Sequence, residues 1–179
     1  PLLALKKKKY LSDEDMVAYQ KRNLIDIKSP NPSVETFLHA FLPYKYVDHT
    51  HADAVMNITN RPGGLNFCKK IFGKKASIVP YVMPGFMLAK KINEVYSKNP
   101  NIECLILMNH GIFTFSDSCK EAYDLMIKYV SKAEKAAKKL KSKKINQIKK
   151  FNTKFSPHEI APIIRGLLSE NKDHKFVIN

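Results

Sequence analysis

The spacing of apolar and polar residues predicts helices separated by turns in the first part of the chain. Ser12 can cap a helix that runs to about Asn23, because Asp15 follows three residues later as its reciprocal partner. A second, short helix is predicted to begin at Ser33 and to end before Pro43. The apolar residues of this short helix share one side: Phe37, Leu38, Phe41 and Leu42.

Short apolar runs predict the strands. The run at 78–81 is expected at the edge of a sheet, because Pro80 has no N–H to donate to a neighbouring strand. A buried strand at 104–108, a tight turn at 109–111 and a returning strand at 112–115 predict a hairpin. Two further segments are predicted, a strand that enters a helix at 46–55 and a loop at 61–64.

Longer helices are predicted to cover these strands. One begins at Pro84 and reaches about Lys98, and another begins at Asp117 as its cap. The first is expected to turn inward Met87, Ile92, Val95 and Tyr96. Nine lysines between 132 and 150 predict a solvated helical face that frays into a linker, and one more helix is predicted at 155–168. Strands mixed with helices predict an α/β fold with a mixed sheet covered by helices, in a single domain of 1–179.

Composition narrows the class of protein. With 179 residues and 44% hydrophobic residues, the chain can bury a core and is not a disordered or fibrous sequence. No apolar run approaches the roughly 20 residues that cross a bilayer. Three cysteines without a CxxC spacing argue against a disulfide framework. We therefore expect a cytoplasmic protein that does not bind a membrane.

The formal net charge of +15 raises the question of nucleic-acid binding. Of the 31 basic residues, however, only Arg22, Arg61 and Arg165 are arginines. Base readout and bidentate phosphate contacts favour the planar arginine side chain over lysine. We therefore predict that nucleic acid is not a partner.

Three histidines suggest a metal site. His49 and His51 form an H-x-H pair, and on a strand such residues project to one face about 6.7 Å apart. His110 follows an apolar strand at a glycine turn, where a rigid sheet can hold a side chain at a cleft. Three neutral imidazoles with an open fourth position are typical of a catalytic zinc. The alternative for His110 is a loop histidine that caps the strand end.

Acidic residues near these histidines allow two interpretations each. Asp48 and Asp53 either accept hydrogen bonds from the imidazoles or are solvated turn residues. Glu35 either complements the dipole of a helix in its first turn or acts as a general base near the metal. His39, one helical turn beyond Glu35, is interpreted as a packed or hydrogen-bonded histidine. His158 and His174 are expected at the surface, and Cys104 in the core.

Several motifs together resemble the class II aldolase/adducin family. They are Pro32-Ser-Val-Glu-Thr-Phe-Leu-His-Ala-Phe-Leu-Pro43, Val47-Asp-His-Thr-His-Ala-Asp53 and Asn109-His-Gly-Ile-Phe-Thr-Phe115. Within the family the sequence is most similar to the aldolase half of bifunctional rhamnulose-1-phosphate aldolase/alcohol dehydrogenases. Two further segments resemble that subgroup, Tyr81-Val-Met-Pro-Gly-Phe86 and Ala161-Pro-Ile-Ile-Arg-Gly166.

The resemblance implies a fold, a metal and a reaction. The fold is an αβα sandwich around a mostly antiparallel sheet, usually in a homotetramer with active sites at subunit contacts. The metal is zinc or another divalent ion held by His49, His51 and His110, and Glu35 matches the catalytic glutamate. The reaction is reversible retro-aldol cleavage of a ketose 1-phosphate, with L-rhamnulose 1-phosphate giving dihydroxyacetone phosphate and L-lactaldehyde.

The sequence departs from this family in one respect. Members carry a Gly-rich phosphate-binding segment before the region that matches here, and this chain has no equivalent. We therefore expect the chain to be truncated at both ends, inactive by itself, and joined to a short-chain dehydrogenase domain in the parent protein. Two alternatives stay open: a sugar-phosphate epimerase or dehydratase on the same scaffold, and a metal-free, adducin-like interaction module.

Overall fold

The computed structural model describes residues 1–140 and 154–169, which fall into two compact units, Pro1–Leu140 and Lys141–Asn179. The first unit opens with a 3₁₀ segment at Leu2–Lys7. Its helices and strands, in chain order, are α1 (Asp13–Arg22), α2 (Thr36–Phe41), β1 (Tyr46–Thr50), α3 (Asp53–Thr59), α4 (Gly64–Phe72), β2 (Ala76–Val79), α5 (Phe86–Lys98), β3 (Cys104–Leu107), β4 (Gly111–Ser116) and α6 (Cys119–Lys139). The second unit contains α7 (Pro157–Ser169). One domain across 1–179 stays a prediction.

The four strands form one mixed sheet in the order β1-β4-β3-β2. β4 pairs antiparallel with both β1 and β3, whereas β2 pairs parallel with β3. The predicted hairpin is therefore confirmed as β3–β4. The predicted edge strand is confirmed as β2, which ends at Val79 so that Pro80 falls outside the ladder.

Helices cover both faces of the sheet, which confirms the αβα sandwich. Successive strand residues point to opposite faces, so Leu105 and Leu107 enter one core while Cys104 and Ile106 enter the other. The first core lies against α1, α2 and α5, and the second against α3, α4 and α6. Cys104 is fully buried, as expected for a small core side chain.

The starts of α4 and α6 differ from the prediction. The loop predicted at 61–64 ends one residue earlier, because the left-handed Gly63 (φ 72°) turns the chain into α4 at Gly64. Helix α6 is capped by Ser118, whose Oγ accepts the N–H of Glu121, and not by Asp117. The Asp117 carboxylate instead accepts the backbone N–H of Lys45.

The ends of α1 and α2 follow the sequence more closely. Ser12 caps α1, and its Oγ accepts the N–H of Asp15. Helix α2 ends at Phe41, before Pro43, as predicted. It begins at Thr36, three residues later than expected, because Ser33 forms a turn ahead of the helix.

The prediction of which α5 residues face the core is partly wrong. Ile92 is buried, but Met87 is 46% exposed. Met87 lies two residues, about 200° around the helix axis, from the buried Ala89, so it faces away from the core. The other buried residues of α5 are Phe86 and Leu88.

The second unit is described through α7. The helix predicted at 155–168 is present and begins at Pro157, two residues later than predicted, and His158 is exposed, as expected. The lysine-rich segment predicted at 132–150 begins within α6, and its part beyond Leu140 lies outside the described residues. His174 also lies outside them. Within the described ranges, no helix is both long and apolar enough to cross a membrane.

Candidate metal centre

Four predicted residues meet at one point of the first unit. The ligand atoms of Glu35, His49, His51 and His110 all lie within 4.8 Å of one another. Oε1 of Glu35 is 2.7 Å from Nε2 of His110, 3.2 Å from Nε2 of His49 and 3.6 Å from Nε2 of His51. The structure thus brings together two histidines from β1 and its end, one from the β3–β4 turn, and a glutamate from before α2.

The turn before α2 places Glu35. The Oγ of Ser33 accepts the N–H of Glu35, and the Oγ of Thr36 donates to the Ser33 carbonyl at 2.7 Å. The buried Gln20 also donates to that carbonyl. Glu35 occupies the N-cap position, but its side chain makes no capping hydrogen bond. The carboxylate is instead directed at the three histidines, and its role as a general base stays a prediction.

Pairing of β1 with β4 sets the orientation of His49. His49 lies directly across from Phe113, and its Nδ1 donates to the carbonyl of Ile112 at 2.9 Å. Because a carbonyl only accepts, this bond fixes the neutral tautomer with the proton on Nδ1. The unprotonated Nε2 of His49 therefore accepts a hydrogen bond from Nε2 of His51, 2.9 Å away. A backbone acceptor behind the imidazole is the usual support of a metal-binding histidine.

The β3–β4 turn presents His110. Asn109 adopts a left-handed conformation (φ 58°), which reverses the chain within the turn. His110 is buried, and in the neutral ring its Nε2 donates to Glu35 while its Nδ1 has no hydrogen-bond partner among the described residues. If a metal bound to Nε2, the proton would have to lie on Nδ1, which has no acceptor among the described residues. The metal–nitrogen bond must outweigh the free-energy cost of that unpaired N–H group.

The cluster is closed on one side and open on the other. The side chains of His49 and His110 are 9% and 7% exposed, and that of Glu35 is 19% exposed. The side chain of His51 is 59% exposed. A small molecule can therefore reach the cluster from the His51 side, while the rest of the site stays shielded from solvent.

Burial and charge shift the proton affinities of two groups. Burial lowers the pKa of His49, which keeps the ring neutral near pH 7. Burial raises the pKa of Glu35, but His49, the hydrogen bond from His110 and His51 outweigh it, so the net pKa lies below the usual value.

The three imidazoles fit a divalent metal. A tetrahedral zinc with bonds of about 2.0–2.1 Å has ligand atoms about 3.3 Å apart. The Nε2 atoms of His49 and His51 are 2.9 Å apart, and all the ligand atoms of the cluster lie within 4.8 Å of one another. Three imidazole nitrogens with an open fourth position suit zinc and related transition metals, and the Glu35 carboxylate lies beside that set.

The remaining predicted residues lie outside this cluster. The side chain of His39 is exposed on one side, and its ring packs edge-on against that of Phe113, with ring centres 5.4 Å apart. This contact agrees with the interpretation of His39 as a packed histidine. Neither Asp48 nor Asp53 belongs to the four-residue cluster. The Nδ1 of His49 donates its hydrogen bond to the Ile112 carbonyl and not to an aspartate. His49 thus finds its acceptor on the backbone.

Sequence reasoning missed the supporting role of β4. Gly111 is the clearest case: a Cβ there would lie 2.4 Å from the carbonyl oxygen of Thr50 and 3.2 Å from Cε1 of His49. The only sequence signal was a glycine directly after His110, which was interpreted as a turn residue. The hydrogen bond to the Ile112 carbonyl could not be predicted from the sequence, because every residue has a backbone carbonyl group.

Replacing Gly111 by alanine is expected to displace β1 and to disrupt the histidine cluster. The added methyl group would overlap the Thr50 carbonyl, and overpacking of this kind costs about 1–3 kcal/mol of unfolding free energy. We expect a lower melting temperature together with weaker Zn²⁺ binding. Gly166→Ala is the control, because a Cβ at Gly166 meets nothing within 4 Å. Unchanged Zn²⁺ affinity in Gly111→Ala would show that this close approach does not hold the site.

Fold and site together define an αβα domain with a potential metal centre at one end of its sheet. The family model described as the Class II Aldolase and Adducin N-terminal domain matches residues 5–137. This chain belongs to the class II aldolase/adducin family. The match spans every element from α1 to β4 and most of α6, and it includes the four clustered residues.

The chain is also similar to two other proteins. The N-terminal class II aldolase domain of a conserved protein from Thermoplasma acidophilum is 46% identical, with a TM-score of 0.68 over 75% of this chain and 62% of that one. A protein of Bacillus subtilis (strain 168) named "Uncharacterized oxidoreductase YuxG" is 38% identical over 177 residues. That alignment covers 93% of this chain but 25% of the Bacillus protein, so the chain spans about a quarter of that relative's length.

Proposed function

We propose that this chain is the metal-binding domain of a zinc-dependent class II aldolase. The observation that carries the proposal is the convergence of three imidazole nitrogens and the Glu35 carboxylate within 4.8 Å. Membership of the class II aldolase/adducin family supports a divalent metal at such a cluster. His49, His51 and His110 would hold the metal, which supplies a Lewis acid that polarises a carbonyl oxygen of the substrate.

Glu35 is proposed to transfer the proton. In the condensation direction its carboxylate removes a proton from the carbon of dihydroxyacetone phosphate that then bonds to the aldehyde carbon. In the cleavage direction the carbon-4 hydroxyl gives its proton to the Glu35 carboxylate and becomes the aldehyde carbonyl, while the bond between carbons 3 and 4 breaks and leaves its electron pair on carbon 3. The protonated carboxyl group then gives that proton to carbon 3. The carboxylate lies at the shielded side of the cluster, 2.7 Å from His110, which holds it in place.

The substrate is proposed to be a ketose 1-phosphate, L-rhamnulose 1-phosphate in particular, with L-lactaldehyde as the second product. The motifs shared with the bifunctional rhamnulose-1-phosphate aldolases support this choice. We further propose that the phosphate-binding segment and a short-chain dehydrogenase domain belong to a longer parent protein. The name and length of the Bacillus relative support an oxidoreductase part. A homotetramer in the cytoplasm, without nucleic-acid or membrane partners, stays a prediction.

The complete protein, incubated with L-rhamnulose 1-phosphate, tests the proposal. We expect release of dihydroxyacetone phosphate, measured as NADH oxidation by added glycerol-3-phosphate dehydrogenase. A chelator should abolish this release and Zn²⁺ should restore it. Conversion of a pentulose phosphate or dehydration of a sugar phosphate, without dihydroxyacetone phosphate, would assign the epimerase or dehydratase. Protein without bound metal and without any turnover would favour the interaction module.

A further inference from the structure

Phe113 connects the hydrophobic core to the histidine cluster. Its side chain is fully buried in the core that α1, α2 and α5 cover. Its ring stacks on the imidazole of His49, with ring centres 4.0 Å apart and planes inclined by 10°. Within the described residues this is the closest ring contact that any of the three clustered histidines makes.

Two consecutive residues of β4 thus restrain one imidazole. The Ile112 carbonyl holds Nδ1 of His49, and the Phe113 ring covers a face of the same imidazole. The imidazole turns about its Cβ–Cγ bond, and a hydrogen bond at Nδ1 alone tolerates part of that rotation. A stacked neighbour opposes the rotation, because turning the imidazole would drive its edge into the phenyl ring. With the plane of the imidazole fixed in this way, Nε2 of His49 points toward His51 and Glu35.

The ring of Phe113 is itself held in place. The imidazole of His39 lies edge-on to it at 5.4 Å, and Leu105 lies opposite Phe113 in the neighbouring strand β3. The side chain of His51, by contrast, is mostly exposed, and among the described residues its ring contacts those of His49 and His110. The site therefore has one histidine fixed to the core and one at the open side.

We propose that Phe113 is a positioning residue of the metal centre: its ring fixes the plane of the His49 imidazole so that Nε2 points at the shared metal position. This inference rests on the proposed function, because it requires a metal at the cluster. The inference predicts that a change of side-chain shape at position 113 lowers the affinity for the metal by more than the accompanying loss of core stability explains. Residues that orient a ligand from behind typically change metal affinity by about 10- to 100-fold.

Phe115 provides a matched control. It lies two residues further along β4, on the same face of the sheet and in the same core, and is 3% exposed. Its ring stacks on Tyr44 at 4.8 Å instead of on a clustered histidine. Phe115→Leu should therefore remove a comparable amount of buried aromatic surface without affecting His49.

The test compares Phe113→Leu with Phe115→Leu in the complete protein. Zn²⁺ affinity is measured by competition with a chromophoric chelator, and ligand geometry by the visible absorption of bound Co²⁺. We expect Zn²⁺ affinity to fall by about 10- to 100-fold in Phe113→Leu, with a changed Co²⁺ spectrum. Phe115→Leu should keep the affinity and spectrum of the unsubstituted protein, even though both variants melt at lower temperature.

The possible results separate this inference from the proposed function. If the unsubstituted protein binds Zn²⁺ and Phe113→Leu binds it equally well with the same Co²⁺ spectrum, the inference is wrong and the proposed function stands. If the unsubstituted protein binds neither metal, both are wrong. Should Phe113→Leu fail to fold, Phe113→Met keeps more of the side-chain volume and decides the question by the same two measurements.

Discussion

Glu35→Gln is expected to lower turnover by about 10²- to 10⁴-fold, the range that a positioned general base contributes. The amide keeps the shape of the carboxylate but cannot accept the proton. Hydrogen exchange into dihydroxyacetone phosphate measures this step directly. The unsubstituted complete protein should exchange one hydrogen of the substrate for deuterium from D₂O without any aldehyde, and Glu35→Gln should exchange it about 10²- to 10⁴-fold more slowly.

Metal binding should survive this substitution, because the three imidazoles remain. Glu94→Gln is the control, since Glu94 is a carboxylate on α5 that pairs with Lys91 and Lys98. It should leave the exchange rate unchanged. Glu35→Gln protein that binds Zn²⁺ and exchanges hydrogen as fast as the unsubstituted protein would remove Glu35 from the proton-transfer role.

His110→Ala is expected to abolish both metal binding and turnover. Dividing the roughly 10–16 kcal/mol of a structural zinc site among four ligands gives about 3 kcal/mol for each, which corresponds to at least a hundredfold loss of affinity. His110 is buried against Glu35, so its removal also leaves that carboxylate without its shortest hydrogen bond. Equilibrium dialysis against buffered Zn²⁺ measures the loss.

His158→Ala is the matched control for this prediction. His158 is exposed on α7 and is not one of the four grouped ligands. Its replacement should change neither the Zn²⁺ affinity nor the turnover. Equal losses in His158→Ala and His110→Ala would mean that the metal binds to the protein through surface histidines and not at the cluster.

Local sequence patterns indicated the three histidines of the cluster, whereas Glu35 had two interpretations and was placed with them by the resemblance to the class II aldolase/adducin family. The H-x-H spacing and the position of His110 after an apolar strand identify residues that a sheet can bring together. The alternating burial along β3, with Leu105 toward one core and Ile106 toward the other, explains why a sheet covered on both faces could also be predicted. Local patterns report these features because each depends on residues close together in the chain.

The sequence was not sufficient where pairing across the sheet decides the structure. That His49 faces Phe113, and that the Ile112 carbonyl holds its Nδ1, follow from the register of β1 on β4, across more than 60 residues of chain. The exposed Met87 was expected inside because both faces of α5 carry apolar residues. Tertiary packing selects one of those faces, and no local pattern distinguishes them.

X-ray absorption at the zinc edge, on complete protein purified without chelator, tests the central claim most directly. We predict about one zinc per chain, with three imidazole nitrogens and one or more oxygens at about 2.0–2.2 Å and no sulfur ligand. The His110→Ala protein should lose the imidazole signal. A zinc content below about a tenth per chain, or a zinc bound through cysteine sulfur at about 2.3 Å, would contradict the metal centre described here.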